Sequence, residues 1–502
     1  MNDLVITPSD MPLFSAVSHD VNPLHTDSDY ARRTPFGEPV VFGILGAIGA
    51  LQHVPDRPGQ ALRTVSLLFL NPLFVGVPYR VSVTSDEAGD KIEIFDGKRR
   101  LMQCAFTYQQ AAEPIATPAA VEPTCSRTIP AEWEEADLTA GLRITGIFPP
   151  PDSLEPFMAR WQLQKKGVSR SQIAALAWTS YLVGMEIPGK QAAYARLDMK
   201  LAPDIVNATL PYAYEVALTS RDARFNLLQL QADLRMGDTL VAHAQISAFL
   251  REASPLCKWE ALTAWLSPSQ RLQGKVALVI GGSRGLGSAL VLALASQGCT
   301  VLLNYARSRS EAEDIRNSLP PMAGAVHLVE GDATDAEWCA RQSADLLQEY
   351  GGLDFLICNA SPAIRPMDFT PDMVERLHRF IDQSLRLVTV PLANFMEPLK
   401  LRSGRPIVIS SIYTRTAPAD FPHYVAAKSA IEGLCRALFT RDHPLHGMLI
   451  RPPKLLTDQT NTPLGRREAV MPEQVAAGVV ALLLEPATQG ELQIVEEFDI
   501  HV

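Results

Sequence analysis

The sequence predicts two fold classes in one chain. A duplicated α+β region, each copy an apolar helix followed by alternating β-rich segments, is followed by an α/β, doubly wound parallel sheet. Three observations predict this. The segments around Pro58-Gly59 and Pro188-Gly189 repeat one another at an offset of 130, and self-similarity of that length outranks any single motif. A short apolar run, Val276 to Ile280, leads through a glycine-rich turn into a helix pattern. Two punctuated zones, Gln109 to Glu132 and Glu252 to Lys275, divide the chain into about 1–110, 130–252 and 273–502.

The whole chain narrows the classes further. Its 502 residues exceed one core, and a hydrophobic content of 47% with 20% charged residues is that of a globular enzyme. The net charge of −10 argues against nucleic acid as the main partner. Seven cysteines, an odd number without a Cys-x-x-Cys pair, point to free thiols in a reducing compartment rather than disulfides, zinc or another metal. The first residues lack a basic n-region and no apolar run approaches membrane-spanning length, so a cytoplasmic protein without a membrane partner is expected.

In the first copy, Asp20, Asn22, Pro23 and His25 fall within six positions. Asp-x-Asn-Pro alone is a turn signal. The run Val40 to Val54, small and apolar throughout, reads as a buried helix whose N-terminal N–H groups suit an oxyanion. A carboxylate, an imidazole and oxyanion donors are the parts needed to move a proton beside a carbonyl. The stretch resembles the MaoC-like (R)-specific enoyl-thioester hydratases through Phe14, Ser18, Asp20, Asn22, Pro23, Leu24, His25, Ala31, Phe36, Gly37 and Gly43. It departs at His19, where that family has glycine, and at Phe42, where histidine is usual. The resemblance implies a hot dog fold, with Asp20 and His25 as the catalytic pair and Asn22 and Gly43 at the substrate oxyanion.

The second copy keeps the helix and strand pattern, and Pro211-Tyr212 answers Pro78-Tyr79. Asp20 maps near Pro150 and His25 near Glu155, so both proton-transfer residues are missing; Asp152 and Glu155 are the nearest carboxylates. This copy is expected to be structural, completing a double hot dog and part of the acyl tunnel.

In the third segment Gly281, Gly285 and Gly287 stand between strand and helix, where a backbone must approach a pyrophosphate. Asn304 occupies roughly the position of the acid that holds an NAD ribose, and Arg284 and Arg307 suit a 2′-phosphate, so NADPH is the expected cofactor. Tyr424 and Lys428 share a helix face, and Ser411 follows an apolar strand. These features resemble the short-chain dehydrogenases/reductases, a Rossmann-like family. The resemblance implies a Ser411–Tyr424–Lys428 catalytic triad and a cofactor site that includes Gly281, Ser283, Arg284, Gly285, Leu286, Gly287, Asn304, Arg307, Asp332, Ala333, Asn359, Ala360 and Lys428. Cys358, Ser361 and Pro453 depart from that family's pattern, and Ser384 is the nearest polar residue to its helix asparagine. A Lys428 cation is expected to lower the Tyr424 pKa from its ordinary value of about 10.

Together the segments predict a β-ketoacyl thioester reductase fused to a (3R)-hydroxyacyl thioester dehydratase, acting on acyl carrier protein or coenzyme A substrates and oligomeric through the reductase segment. Two rivals remain open. One is hydration followed by NAD-dependent oxidation. The other is a partner-binding synthase component with a silent site.

Overall fold

The computed structural model describes residues 3–111, 127–202, 211–253, 255–440, 444–485 and 492–498. Most of the first punctuated zone, residues 112–126, lies outside them. The chain forms two compact units, Met1–Ala253 and Ser254–Val502.

The first unit is built on ten strands: β1 (Asp3–Leu4), β2 (Gln60–Phe69), β3 (Tyr79–Ser85), β4 (Asp90–Asp96), β5 (Arg99–Gln110), β6 (Arg143–Phe148), β7 (Ala192–Leu201), β8 (Tyr212–Asp222), β9 (Leu227–Met236) and β10 (Thr239–Leu250). They form one sheet in the order β1-β3-β4-β5-β2-β7-β10-β9-β8-β6, with every neighbouring pair antiparallel. The order reads the same from either end once the two copies are exchanged. The copies join at β2 and β7, where Leu67 pairs with Leu197, its own counterpart 130 residues on. Both leucines are buried, so the pseudo-twofold axis runs through the core face of the sheet.

Alternation gives each strand one buried face, as in β9, where Leu228, Leu230, Ala232 and Leu234 point inward between polar neighbours. That face packs on two central helices, Gly43–Ala50 and Arg170–Tyr181. Both are buried nearly all round, which is why their sequences carry apolar residues without a polar stripe. The first helix admits close neighbours only because it is glycine-rich: a Cβ on Gly46 would stand 2.5 Å from Leu73. The second starts at a capping box made by Ser169 and Gln172, and it passes into a π-helical turn, Leu182–Glu186.

The second unit is a Rossmann-like α/β fold. Its strands are β11 (Val276–Ile280), β12 (Thr300–Tyr305), β13 (Val326–Glu330), β14 (Phe355–Cys358), β15 (Arg405–Ile409), β16 (Met448–Ile450) and β17 (Gln493–Val495). They form a parallel sheet in the order β13-β12-β11-β14-β15-β16-β17. The order reverses between β12–β11 and β14, the crevice in which such sheets bind ligands. The connector after residue 252 belongs to this unit: Leu262, in the short helix Trp259–Thr263, is buried in its core. Among the described residues, no helix is long and apolar enough to cross a membrane.

Candidate functional sites

In the first unit Asn22 opens a short helix, Pro23–Thr26, accepting from the Leu24 N–H, and this turn presents Asp20 and His25. Asp20 is buried. Its Oδ1 accepts from the Asn22 N–H at 3.0 Å and its Oδ2 from the Ser180 hydroxyl at 2.8 Å. Burial outweighs these bonds and raises its pKa to about 6. The His25 Nδ1 lies 2.8 Å from the Val40 carbonyl. A carbonyl only accepts, so Nδ1 carries a proton and the neutral ring has its free lone pair on Nε2. Burial first, then the charge of Arg251, lowers the His25 pKa to about 4.

Phe42 stacks on His25 with ring centroids 4.1 Å apart, so the substitution for histidine supplies an apolar wall. Gly43 begins the first central helix, where the leading N–H groups have no intrahelical acceptor. A Cβ there would meet the Phe69 ring at 2.8 Å. His19 takes a left-handed backbone, φ 53, which explains why glycine suits the position. Its ring turns to the Pro150 carbonyl, at 3.0 Å, and lies edge-on to Phe148.

Two expectations are corrected here. Asn22 is not available to substrate: it is buried, and its amide donates to the Gly184 and Gly189 carbonyls at 2.8 and 2.9 Å, clamping one copy to the other. The second copy does more than complete the sheet, because Ser180 and Gly184 form one wall of the Asp20 site. A Cβ on Gly184 would stand 2.5 Å from Asp20 Oδ1. The polar Thr179-Ser180 pair and the glycine inside the apolar "IAALAWTSYLVGM" were the available sequence signals. Gly184→Ala is expected to cut dehydration of a hydroxyacyl thioester at least about tenfold, the scale of a small misplacement of a catalytic group. Circular dichroism should find the protein folded, and an unimpaired rate would show that the wall has slack.

Asp152 and Glu155 are exposed, and Glu155 pairs with Arg170. In the second copy Lys166 donates to the Val54 carbonyl, where the first copy's Asn22 meets Gly184, the residue 130 positions on. Replacing Asp152 and Glu155 together by Ala should leave the dehydration rate within about twofold of the parent, since exposed substitutions rarely shift stability by more than about 0.5 kcal/mol. A folded variant without activity would place catalytic carboxylates in the second copy.

In the second unit the helix Gly285–Ser296 starts behind β11. Gly281 and Gly285 have φ of 74 and 54, and a Cβ on Gly287 would lie 2.0 Å from the Gly281 carbonyl oxygen. Asn359 donates to that same oxygen at 2.9 Å, so Asn359 and Ala360 form the floor of the turn. Ser283, Leu286 and Ala333 are buried around it. Asp332 is exposed; its Oδ1 accepts from the Thr334 N–H and hydroxyl.

The reading of Asn304 as a ribose contact is corrected. The residue is buried, its Oδ1 accepts from the Gly281 N–H at 3.3 Å, and its Nδ2 donates to the Val329 and Gly331 carbonyls. It braces the glycine turn from behind. Arg284 pairs with Asp458 at 2.9 Å, so part of its charge is answered within the unit. Arg307 is exposed just past β12.

Ser411 follows β15, and Tyr424 and Lys428 lie on the helix Pro422–Leu438. The Ser411 hydroxyl bonds the Tyr424 phenol. Lys428 is buried; its Nζ donates to the Ile409 carbonyl at 2.8 Å and sits 5.7 Å from the Tyr424 ring centroid. Burial lowers Lys428 to about 8 and raises Tyr424 to about 12. The phenol is thus shifted up rather than down: desolvation of the phenolate outweighs the lowering by the Ser411 hydrogen bond. The Ser384 hydroxyl is buried with no hydrogen-bond partner.

The group implied by this turn fits the residues present. The helix N-terminus offers N–H donors suited to a pyrophosphate behind a turn whose glycines a Cβ would crowd, Asp332 and Arg307 are exposed, and Lys428 keeps donors beyond the one given to Ile409.

Comparisons with known proteins match both ends of the chain. Over 218 residues the chain is 28% identical to L-rhamnose 1-dehydrogenase (NADP(+)) of Thermoplasma acidophilum, covering 42% of this chain and 85% of that one. It is 29% identical over 199 residues to versicolorin reductase 1 of Aspergillus parasiticus, covering 38% and 74%. Among solved structures it is similar to an alcohol dehydrogenase from the archaeon Thermococcus sibiricus complexed with 5-hydroxy-NADP, at 26% identity and a TM-score of 0.40, covering 44% of this chain and 95% of the other. Residues 1–101 match the family described as MaoC like domain, and residues 275–462 match short chain dehydrogenase. The chain therefore carries a MaoC-like domain at its start and a short-chain dehydrogenase/reductase domain, a nicotinamide-dependent oxidoreductase module, after it.

Proposed function

We propose that this protein is a bifunctional NADPH-dependent β-ketoacyl thioester reductase and (3R)-hydroxyacyl thioester dehydratase serving fatty-acid-like or polyketide-like biosynthesis, with its first unit a double hot dog. The observation that carries the reading is the presence in one chain of two sites whose reactions are consecutive: the alcohol left by a ketone reductase at Ser411–Tyr424–Lys428 is the substrate for elimination at Asp20–His25. Fusion keeps that intermediate near its second site. Acyl groups on carrier protein or coenzyme A are the proposed substrates, and the reductase units are proposed to associate with one another.

In reduction, Ser411 hydrogen-bonds the ketone oxygen and Tyr424 donates its proton to that oxygen. Bound cofactor supplies the hydride. Lys428 holds a ribose hydroxyl through its remaining donors. A phenol with a pKa of about 12 is protonated at neutral pH, the state that reduction requires.

In elimination, a carboxyl raised and an imidazole lowered by burial support one division of roles. Neutral His25 takes the C2 proton on Nε2. Asp20, which keeps its proton to about pH 6, delivers it to the departing C3 hydroxyl, so water leaves as the C2–C3 double bond forms. N–H groups at the helix start near Gly43 hold the thioester oxygen as negative charge develops on it.

The exposed Arg307 and the name of the similar L-rhamnose 1-dehydrogenase (NADP(+)) support NADPH. The test is incubation with β-ketoacyl thioesters on coenzyme A and on carrier protein, followed by mass spectrometry of the acyl group with each cofactor. Enoyl product formed faster with NADPH supports the reading, and equal turnover with NADH overturns the cofactor assignment. Arg307→Ala should raise the KM for NADPH about tenfold while leaving that for NADH unchanged, the loss of about 1.4 kcal/mol from one charged phosphate contact.

A further inference from the structure

A buried carboxylate stands one helical turn beyond Lys428. Glu432, on the same helix as Tyr424 and Lys428, is 2% exposed. Its Oε1 accepts from the Ser410 hydroxyl at 2.7 Å and from Arg451 Nε at 2.8 Å. Its Oε2 accepts from Arg451 Nη2 at 2.5 Å and from Arg436 Nη2 at 3.0 Å. The Thr414 hydroxyl, whose proton can be shared with the Ser411 carbonyl, also lies against it. Arg451 reaches on to Glu496, and Glu496 to Arg415, so charges alternate along a ladder from the helix to the segment after β17.

The ladder joins the three pieces of backbone that make the reductase site. Ser410 immediately precedes Ser411, and its N–H donates to the Ile450 carbonyl at 2.7 Å. Thr414 also donates to the Ser411 carbonyl at 2.9 Å. Arg451 leads into Pro452 and Pro453, and the Ile412 N–H meets the Pro452 carbonyl at 3.2 Å. Desolvating so many charges is costly, and a buried ion network is weak evidence of stability; fixing a conformation is its better-supported use. Each partner of Glu432 other than Arg436 lies on, or opens, a segment beside the triad.

We infer that Glu432 is a positioning residue of the reductase: from the helix that carries Tyr424 and Lys428 it holds Ser410, Thr414 and Arg451, and so sets Ser411 against the Tyr424 phenol. The inference rests on the reductase reading of that triad. Ser411 must stay within hydrogen-bond reach of both the phenol and a substrate oxygen, and displacement by about 1 Å can cost about 100-fold in rate.

The test uses the full chain, NADPH and acetoacetyl thioester. Ser410→Ala removes one anchor without leaving a buried charge, and Ser410→Thr restores the hydroxyl. Glu432→Gln keeps an oxygen for Ser410 and removes the charge. For Ser410→Ala the expected result is a kcat about tenfold lower, with the KM for NADPH, cofactor binding by fluorescence and the thermal midpoint near parental values, and recovery of most of the rate in Ser410→Thr; Glu432→Gln should lose about 100-fold. Two folded, NADPH-binding variants with parental kcat would overturn the positioning role alone. So would a fall in kcat that tracks an equal loss of cofactor binding and thermal midpoint, since that is loosening of the whole unit. A parental protein that binds NADPH but reduces no thioester overturns the reductase reading, and the positioning role with it.

Discussion

Tyr424→Phe is expected to lower NADPH-dependent ketone reduction about 1000-fold, in the middle of the range for loss of a general acid and equivalent to about 4 kcal/mol of transition-state stabilisation. The phenol is the group hydrogen-bonded to Ser411, and the replacement keeps the ring between Tyr413 and Phe380, whose centroids lie 6.0 and 6.4 Å away. NADPH binding should persist, because the glycine turn, Arg307 and Lys428 are untouched. Dehydration of a supplied (3R)-hydroxyacyl thioester should also persist. Stopped-flow NADPH oxidation and a separate dehydration assay read the two outcomes, and near-parental reduction would remove the triad from the mechanism.

Asp20→Asn is expected to reverse that pattern: reduction continues, the hydroxyacyl product accumulates, and elimination falls by about 1000-fold as its proton donor is lost. The amide is nearly isosteric: its oxygen can still accept from the Asn22 N–H, and its NH2 can donate to the Ser180 hydroxyl oxygen, so the turn should hold. The parent has a distinctive pH signature. Elimination needs His25 neutral and Asp20 protonated. His25 becomes neutral as pH rises through about 4, and Asp20 loses its proton as pH rises through about 6. The kcat/KM for dehydration should therefore be bell-shaped, highest between these values. Hydration of the enoyl thioester, the reverse reaction, starts from the opposite protonation states. A dehydration profile that climbs steadily past pH 8 would exchange the two roles.

Glycines at 281, 285 and 287 between an apolar pentapeptide and a helix have few alternatives, because each glycine answers a local demand: a positive φ or an approach too close for a Cβ. The same holds for Asn22-Pro23, where a side-chain cap and a fixed φ start a helix whatever surrounds it. Other residues acquire their meaning only from partners distant in the chain. Asn304 has the right position for a ribose contact by count along a strand, yet its side chain points behind the turn, and its partners are Gly281, Val329 and Gly331. Ser180 lies 160 residues from Asp20, and no local pattern announces that pairing.

The sequence by itself determined the repeat, the two sheet types, the glycine turn and the candidates Asp20, His25, Ser411, Tyr424 and Lys428, but it misplaced Asn22 and Asn304 and missed Ser180 and Gly184. Those features depend on periodicity, turn chemistry and short-range spacing, which act between neighbours in the chain. Tertiary structure alone decided that the two copies share one continuous sheet through Leu67 and Leu197, and that the copy without the motif walls in Asp20 through Ser180 and Gly184. It also decided the direction in which each group's pKa departs from its ordinary value. Asp20 rises, His25 and Lys428 fall and Tyr424 rises because each is desolvated, and burial is a property of everything packed around a side chain rather than of its neighbours in sequence.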